Sequence, residues 1–108
     1  MTEAWRSRTR HWKCPEGSVW VIIAEVEGKP YYVDLRVSRA GGSPMAAAAN
    51  ALGILVGSSL RRGTKVNKLK TYLRGISVTS QEQVDSGEFD ALSMADALGR
   101  TLAEFYPD

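Results

Sequence analysis

The stretch Arg39-Ala40-Gly41-Gly42-Ser43-Pro44-Met45, with the alanine-rich run that follows it to Arg62-Gly63, decides the fold. Gly41-Gly42 frees the backbone to take positive φ, and Ser43 carries an acceptor suited to an N-cap. Pro44 falls where a missing N–H costs nothing, and Gly63 is placed to end a helix left-handed. Between these stops Met45, Ala48, Ala49, Leu52, Leu55, Val56, Ser59 and Leu60 recur at three- and four-residue spacing, the period of one buried helix face. The pattern predicts a long central helix, and the residues before it must build a sheet to receive it.

Those residues read as a hairpin. Residues 18–26 are rich in Val19, Trp20, Val21, Ile22 and Ile23, and Glu27-Gly28-Lys29-Pro30 is a turn. Residues 31–38 alternate, with Tyr31, Val33, Leu35 and Val37 on one face and Tyr32, Asp34, Arg36 and Ser38 on the other. A hairpin cannot stand alone. A subunit interface can cover its apolar first strand, and a strand from residues 5–13 can complete its sheet. Residues 1–17 otherwise read as an arm. Trp5 and Trp12 interleave with Arg6, Arg8, Arg10 and His11, ahead of the turn Cys14-Pro15-Glu16-Gly17. Such an arm can stack on bases and hold phosphates. Packing of its tryptophans onto the domain is the favoured reading.

Beyond the central helix, Thr64 is placed to cap a second helix. Its inner face is Val66, Leu69 and Leu73, its outer face Lys65, Lys68 and Lys70, and its end Gly75. Residues 76–79 are a short strand or extended exit, and residues 80–90 a mobile acidic loop. Ser93-Met94-Ala95-Asp96 has capping-box spacing and opens a last helix with Met94, Leu98, Thr101, Leu102 and Phe105 inside. The expected fold is α+β. An antiparallel, hairpin-based sheet packs on the long central helix, joined by a short basic helix and a C-terminal helix.

Length fits one domain, read as an arm at 1–17 and a single α+β unit at 18–108 of the 108 residues. Hydrophobic content of 44% and charged content of 24% are those of a soluble globular protein. The longest apolar run is broken by Asn50, Gly53 and Gly57 and is too short to span a bilayer. No apolar stretch follows the N-terminal arginines, so no secretory signal is expected and the cytoplasm is the expected compartment. The single cysteine, Cys14, excludes an internal disulfide and a cysteine cage, and His11 with Cys14 makes a poor zinc site. The net charge of +2 is unevenly spread. Arginines crowd the N-terminus, residues 61–74 hold a second basic cluster, and residues 82–108 are acidic apart from Arg100. This favours an anionic partner or complementary self-association.

Chemistry concentrates at the two ends of the central helix. Gly41, Gly42 and Ser43, flanked by Arg39, form a glycine-rich helix start that can receive a phosphate or carboxylate. The same turn serves equally as a plain strand-to-helix connection. It lacks the Lys-Ser/Thr pair of a P-loop and the glycine spacing of a dinucleotide fingerprint. Arg61, Arg62 and Lys65 stand at the far end, where the helix dipole alone accounts for cations. Two subunits stacked antiparallel would bring the ends together into a composite anion site. With one histidine and no suggestive carboxylate pair, the reading is a non-enzyme with no metal and no cofactor.

Taken together, several segments resemble the TSCPD domain, the small C-terminal domain of adenosylcobalamin-dependent (class II) ribonucleotide reductases, which also occurs as stand-alone proteins, some of them in phages. The matching residues run from Val19-Trp-Val-Ile, Gly28-Lys-Pro and Val33-Asp-Leu-Arg-Val to Ala40-Gly-Gly-Ser-Pro and Ala51-Leu-Gly. They continue through Ser59-Leu-Arg-Arg-Gly, Leu73-Arg-Gly-Ile76 and Ser93-Met-Ala-Asp-Ala-Leu-Gly-Arg100, leaving the arm before Val19 unmatched. Where the family often has cysteines, this chain has Ser43, Ser77-Val78 and Met94, so no metal role carries over. The reductase barrel and its radical cysteines are missing too. The resemblance therefore implies the fold and a capacity to bind a nucleotide or a partner.

The expected function is non-catalytic binding of a phosphorylated small molecule, a nucleotide. Arg39, Gly41, Gly42, Ser43, Arg61, Arg62 and Lys65 would hold the phosphate, and Trp12, Tyr31 or Tyr32 would stack on the base. In a virus such an inert binder fits sequestration of a nucleotide signal of host defence. A homo-oligomer is expected through the sheet or through the small residues Ala46, Ala47, Ala49, Asn50, Gly53 and Gly57. The alternatives are an accessory module of a large nucleotide-metabolising enzyme, the class II reductase, and a nucleic-acid binder acting through the arm and the basic helix.

Overall fold

The computed structural model describes residues 5–38 and 42–108, with the backbone alone at 42 and 43. Three strands, β1 (Trp5–Cys14), β2 (Gly17–Val26) and β3 (Lys29–Ser38), form an antiparallel sheet in the order β1-β2-β3. Among the described residues four helices follow: α1 (Gly42–Arg61), α2 (Val66–Leu73), α3 (Gln81–Asp85) and α4 (Met94–Phe105). The α+β class and the long helix on a hairpin-based sheet are as the sequence predicts. Among the described residues no helix is long and apolar enough to cross a membrane.

The turn between β2 and β3 is two residues, Glu27 and Gly28, with φ of 53° and 79°. That is the positive-φ geometry whose twist matches flanking strands. Val19, Val21 and Ile23 are wholly buried on one face of β2, opposite Val37, Leu35 and Val33 of β3. On the same face of β1 lie Trp12, paired with Val19, and Arg10 and Arg8, paired with Val21 and Ile23.

Residues 5–14, within the segment read as an arm, thus form the third strand. Trp12 is 4% exposed and its indole N–H donates to Thr101 Oγ1 of α4 at 2.8 Å. The arginines follow α4 outward. Arg10 grips Glu104 through two N–H groups (2.9 and 3.1 Å), while Arg8 pairs with buried Glu25 and lies 4.1 Å over the Phe105 ring. Arg8 and Arg10 are thus engaged by α4 and β2, in keeping with the packing reading of the arm and not with the alternative in which it holds phosphates.

Helix α1 runs along β3, and the inward face differs from the expected one. Ala49, Gly53, Val56 and Gly57 are buried, Leu52 and Leu60 partly so, while Ala48 and Leu55 are exposed. The reason is close approach to backbone. A Cβ on Gly53 would sit 3.0 Å from Val33 O and 3.2 Å from Leu35 N, and one on Gly57 3.3 Å from Val33 N. The helix turns its side-chain-free positions to the strand, which rotates Leu55 outward. Gly53 and Gly57, expected to admit a neighbouring helix, therefore face β3; Ala46, Ala47 and Asn50 remain exposed. The helix already includes Gly42 and Ser43, so Ser43 is not its N-cap. Pro44 is still within the first turn, where an N–H has no partner inside the helix.

The remaining local corrections have similar causes. Thr64 does not cap α2: its N–H closes the α1 turn onto Ser59 O, and Lys65 occupies the cap position without a side-chain bond. Lys70 points inward, 8% exposed, with Nζ donating to Tyr106 O and Asp108 Oδ1. The acidic loop contains the short α3, opened by a capping box between Ser80 and Gln83. Ser93 caps α4 as expected, accepting from Asp96 N–H at 3.1 Å. The Asp96 carboxylate does not return to the cap. It is buried and binds Gly75 N–H, Leu92 N–H and Arg100, tying the end of α2 to α4.

Among the described residues, no helix or strand covers the opposite face of the sheet. Its residues include Thr9, His11, Trp20, Ile22, Tyr32 and Arg36, and none of these is buried.

Candidate functional site

One edge of that open face is shaped by an irregularity in β3. Pairing shifts between Ala24 and Glu25, so Ala24 faces Tyr32 and Glu25 faces Pro30, leaving Tyr31 as the extra residue. Such a bulge breaks alternation. Pro30 is buried where Tyr31 was expected, and Tyr31 joins Tyr32 outside, at 38% and 49% exposure. Trp5, opposite Val26 at the start of β1, stacks on Tyr32 with centroids 5.9 Å apart and planes 17° apart. It meets Tyr31 edge-on at 6.0 Å.

The last residue of α1 completes the cluster. Arg61 Nη1 donates to Tyr31 O at 2.9 Å, and its guanidinium carbon lies 4.5 Å from the Tyr32 ring centroid. Gly57 makes this fold-back possible, since a Cβ there would stand 3.1 Å from Arg61 Nη1. Next to the cluster is a cavity of about 470 Å³ lined by Lys29, Pro30, Leu60, Lys65, Val66 and Tyr106, among others. Burial and a hydrogen bond to Glu25 push the Tyr106 hydroxyl well above its usual pKa, so it stays protonated at neutral pH. Desolvation, followed by the nearby Glu16 carboxylate, pushes the buried Cys14 thiol up to about 12, which leaves it inert.

A family model described as the TSCPD domain matches residues 1–106. The chain belongs to the TSCPD domain family. The match takes in β1, which the resemblance read from the sequence had left out. No curated protein and no solved structure matches this TSCPD domain.

The sequence-predicted site residues separate into four groups. Arg61, Tyr31 and Tyr32 come together, with Arg62 and Lys65 exposed just beyond them. Arg39 and Gly41 lie outside the described residues. Gly42 and Ser43 begin α1, roughly 30 Å from Arg61 at 1.5 Å rise per residue, so one subunit cannot hold a single phosphate with both ends. Trp12 is in the core, its ring covered by Arg10 at 4.1 Å, and offers no free face to a base. Two members of the corner escaped the sequence reading. Trp5 was grouped with the arm, and Lys29 was absorbed into a turn; the strand pairing of residues 5–14 is the signal that finds the first.

Proposed function

We propose that this TSCPD domain is a non-catalytic module that binds a phosphorylated small molecule, a nucleotide, at the Trp5–Tyr31–Tyr32–Arg61 corner. The observation that carries this reading is an exposed Trp5–Tyr32 stack with the Arg61 guanidinium held over the same tyrosine. Base–aromatic stacking contributes about 1–3 kcal/mol per base and tolerates any base. The guanidinium is already oriented by Tyr31 O, so little side-chain entropy is lost when a phosphate arrives. Arg62, Lys65 and Lys29 add positive charge around the neighbouring cavity. In a homo-oligomer with antiparallel α1 helices, Gly42 and Ser43 at the start of α1 in one subunit, with Arg39 and Gly41 before them in sequence, would approach the Arg61 corner of the next. A viral protein of this kind would sequester a nucleotide signal rather than destroy it.

The test is thermal melting against mono-, di- and cyclic nucleotides, with inorganic phosphate as control. A ligand at about 100 times its dissociation constant adds roughly 2.7 kcal/mol, a shift of several degrees for a domain of this size. We expect a nucleotide-selective shift that Arg61→Ala abolishes. A second reading, an accessory module docking onto a class II ribonucleotide reductase, is favoured by the uncovered sheet face. There Trp20 is 38% exposed and leans on His11 at 4.7 Å. That reading predicts a midpoint indifferent to every nucleotide.

A further inference from the structure

The junction of α2 and α4 lies apart from the aromatic corner and gathers three cations. Lys70, Arg74 and Arg100 line a cavity of about 510 Å³, with amides from Asn67 and Gln81 in its wall. That volume is within the usual range for small-molecule sites. Its geometry follows from Gly99. A Cβ there would stand 2.7 Å from Arg74 Cγ and 3.0 Å from Arg74 N, so only glycine lets the Arg74 stem seat on α4 beside Arg100. The two arginines also line the adjoining cavity of about 320 Å³, and so stand on the ridge between the two.

The donors are not exhausted by their present partners. Asp96 and Asp108 are the acids that line the larger cavity. Asp96 is filled: Oδ1 accepts from Gly75 N–H at 2.9 Å, and Oδ2 from Leu92 N–H at 2.9 Å and Arg100 Nε at 2.6 Å. Arg100 engages it through Nε, which leaves its two terminal nitrogens. Lys70 gives two of its three protons to Tyr106 O and Asp108. Arg74 is exposed, and its guanidinium forms no ion pair or hydrogen bond among the described residues. The Asp108 side chain is 81% exposed, so its pair with Lys70 is the weakly held, solvent-screened kind.

We infer that this cavity is a second anion site, taking the diphosphate group of a small molecule across the Arg74 and Arg100 forks with Lys70 behind them. Planar guanidinium forks match phosphate oxygens two at a time, and a diphosphate has enough oxygens to span both. The inference uses none of the residues of the aromatic corner.

The experiment is calorimetric titration of the full chain carrying Arg61→Ala with pyrophosphate, AMP and ADP, repeated after Arg74→Gln is added. Glutamine keeps the stem that packs at Gly99 and removes the fork. With the corner disabled by Arg61→Ala, the chain should still bind pyrophosphate, and adding Arg74→Gln should weaken that binding tenfold or more. Tighter binding of ADP than of pyrophosphate would identify a nucleoside diphosphate as the source, and equal binding an inorganic polyphosphate; both support the site. Absence of pyrophosphate binding in the Arg61→Ala chain, or an affinity there that Arg74→Gln leaves unchanged, would overturn it.

Discussion

Replacing Asp96 with alanine should destabilise the protein by about 3–5 kcal/mol, because removing one partner leaves buried groups uncompensated. The carboxylate is 1% exposed and serves three donors at once. Without it, the Gly75 and Leu92 N–H groups lose their acceptor and Arg100, at 27% side-chain exposure, loses its counter-charge. The junction of α2 with α4 would loosen, and with it the packing of Leu69 and Leu73 against the core. Urea denaturation measures the effect. Asp96→Asn keeps one acceptor and the shape, so its loss should be clearly smaller, and an equal loss in both variants would assign the effect to charge alone.

Replacing Trp12 with alanine should cost a similar amount, about 3–5 kcal/mol, as expected when a large aromatic leaves a core. The indole is buried between β1 and α4, with Arg10 over its ring and Thr101 on its nitrogen. Trp12→Phe keeps most of the packing and loses the hydrogen bond, about 1 kcal/mol. The Thr101 hydroxyl itself still donates to Ala97 O at 2.8 Å, so it is not orphaned. At roughly 4–8 °C per kcal/mol for small domains, the alanine variant should melt more than 10 °C lower than the wild type. A change of a degree or two would mean that residues 5–14 are not integral to the fold.

The elements that were legible from sequence are those whose period matches one buried face. Alternation in Val33, Leu35 and Val37 and the Ser93 cap with Leu98, Thr101 and Leu102 behind it gave the hairpin and α4 directly. β1 was harder to see because it is an edge strand with arginines on its inward face. Those arginines reach past the core to α4 carboxylate and carbonyl oxygens, and so look solvated in a hydropathy pattern. The inward face of α1 was misjudged by one position because glycines, not leucines, make the contact with β3. Lys70 reads as an outward lysine until its partner, the Tyr106 carbonyl, is brought 36 residues along the chain.

The candidate site was legible as residue types and not as a place. Arg61, Tyr31 and Tyr32 were each singled out, yet nothing in their spacing announces that the two tyrosines share a face. The bulge that puts them there is a register shift between strands, which has no signature in a single segment. Gly57 likewise reads as a helix-packing glycine, whereas one of its effects is to let Arg61 fold back. Helix length separates Arg61 from Gly42 and Ser43, so the two helix ends proposed to hold a phosphate can meet only between subunits.

The most direct test of nucleotide binding at the aromatic corner follows the three tryptophan indole N–H signals by nitrogen–proton correlation as a nucleotide is titrated in. The account predicts a large, saturable movement of the Trp5 signal while the Trp12 signal, held by Thr101 in the core, stays in place. Saturable binding that leaves Trp5 unmoved would contradict it.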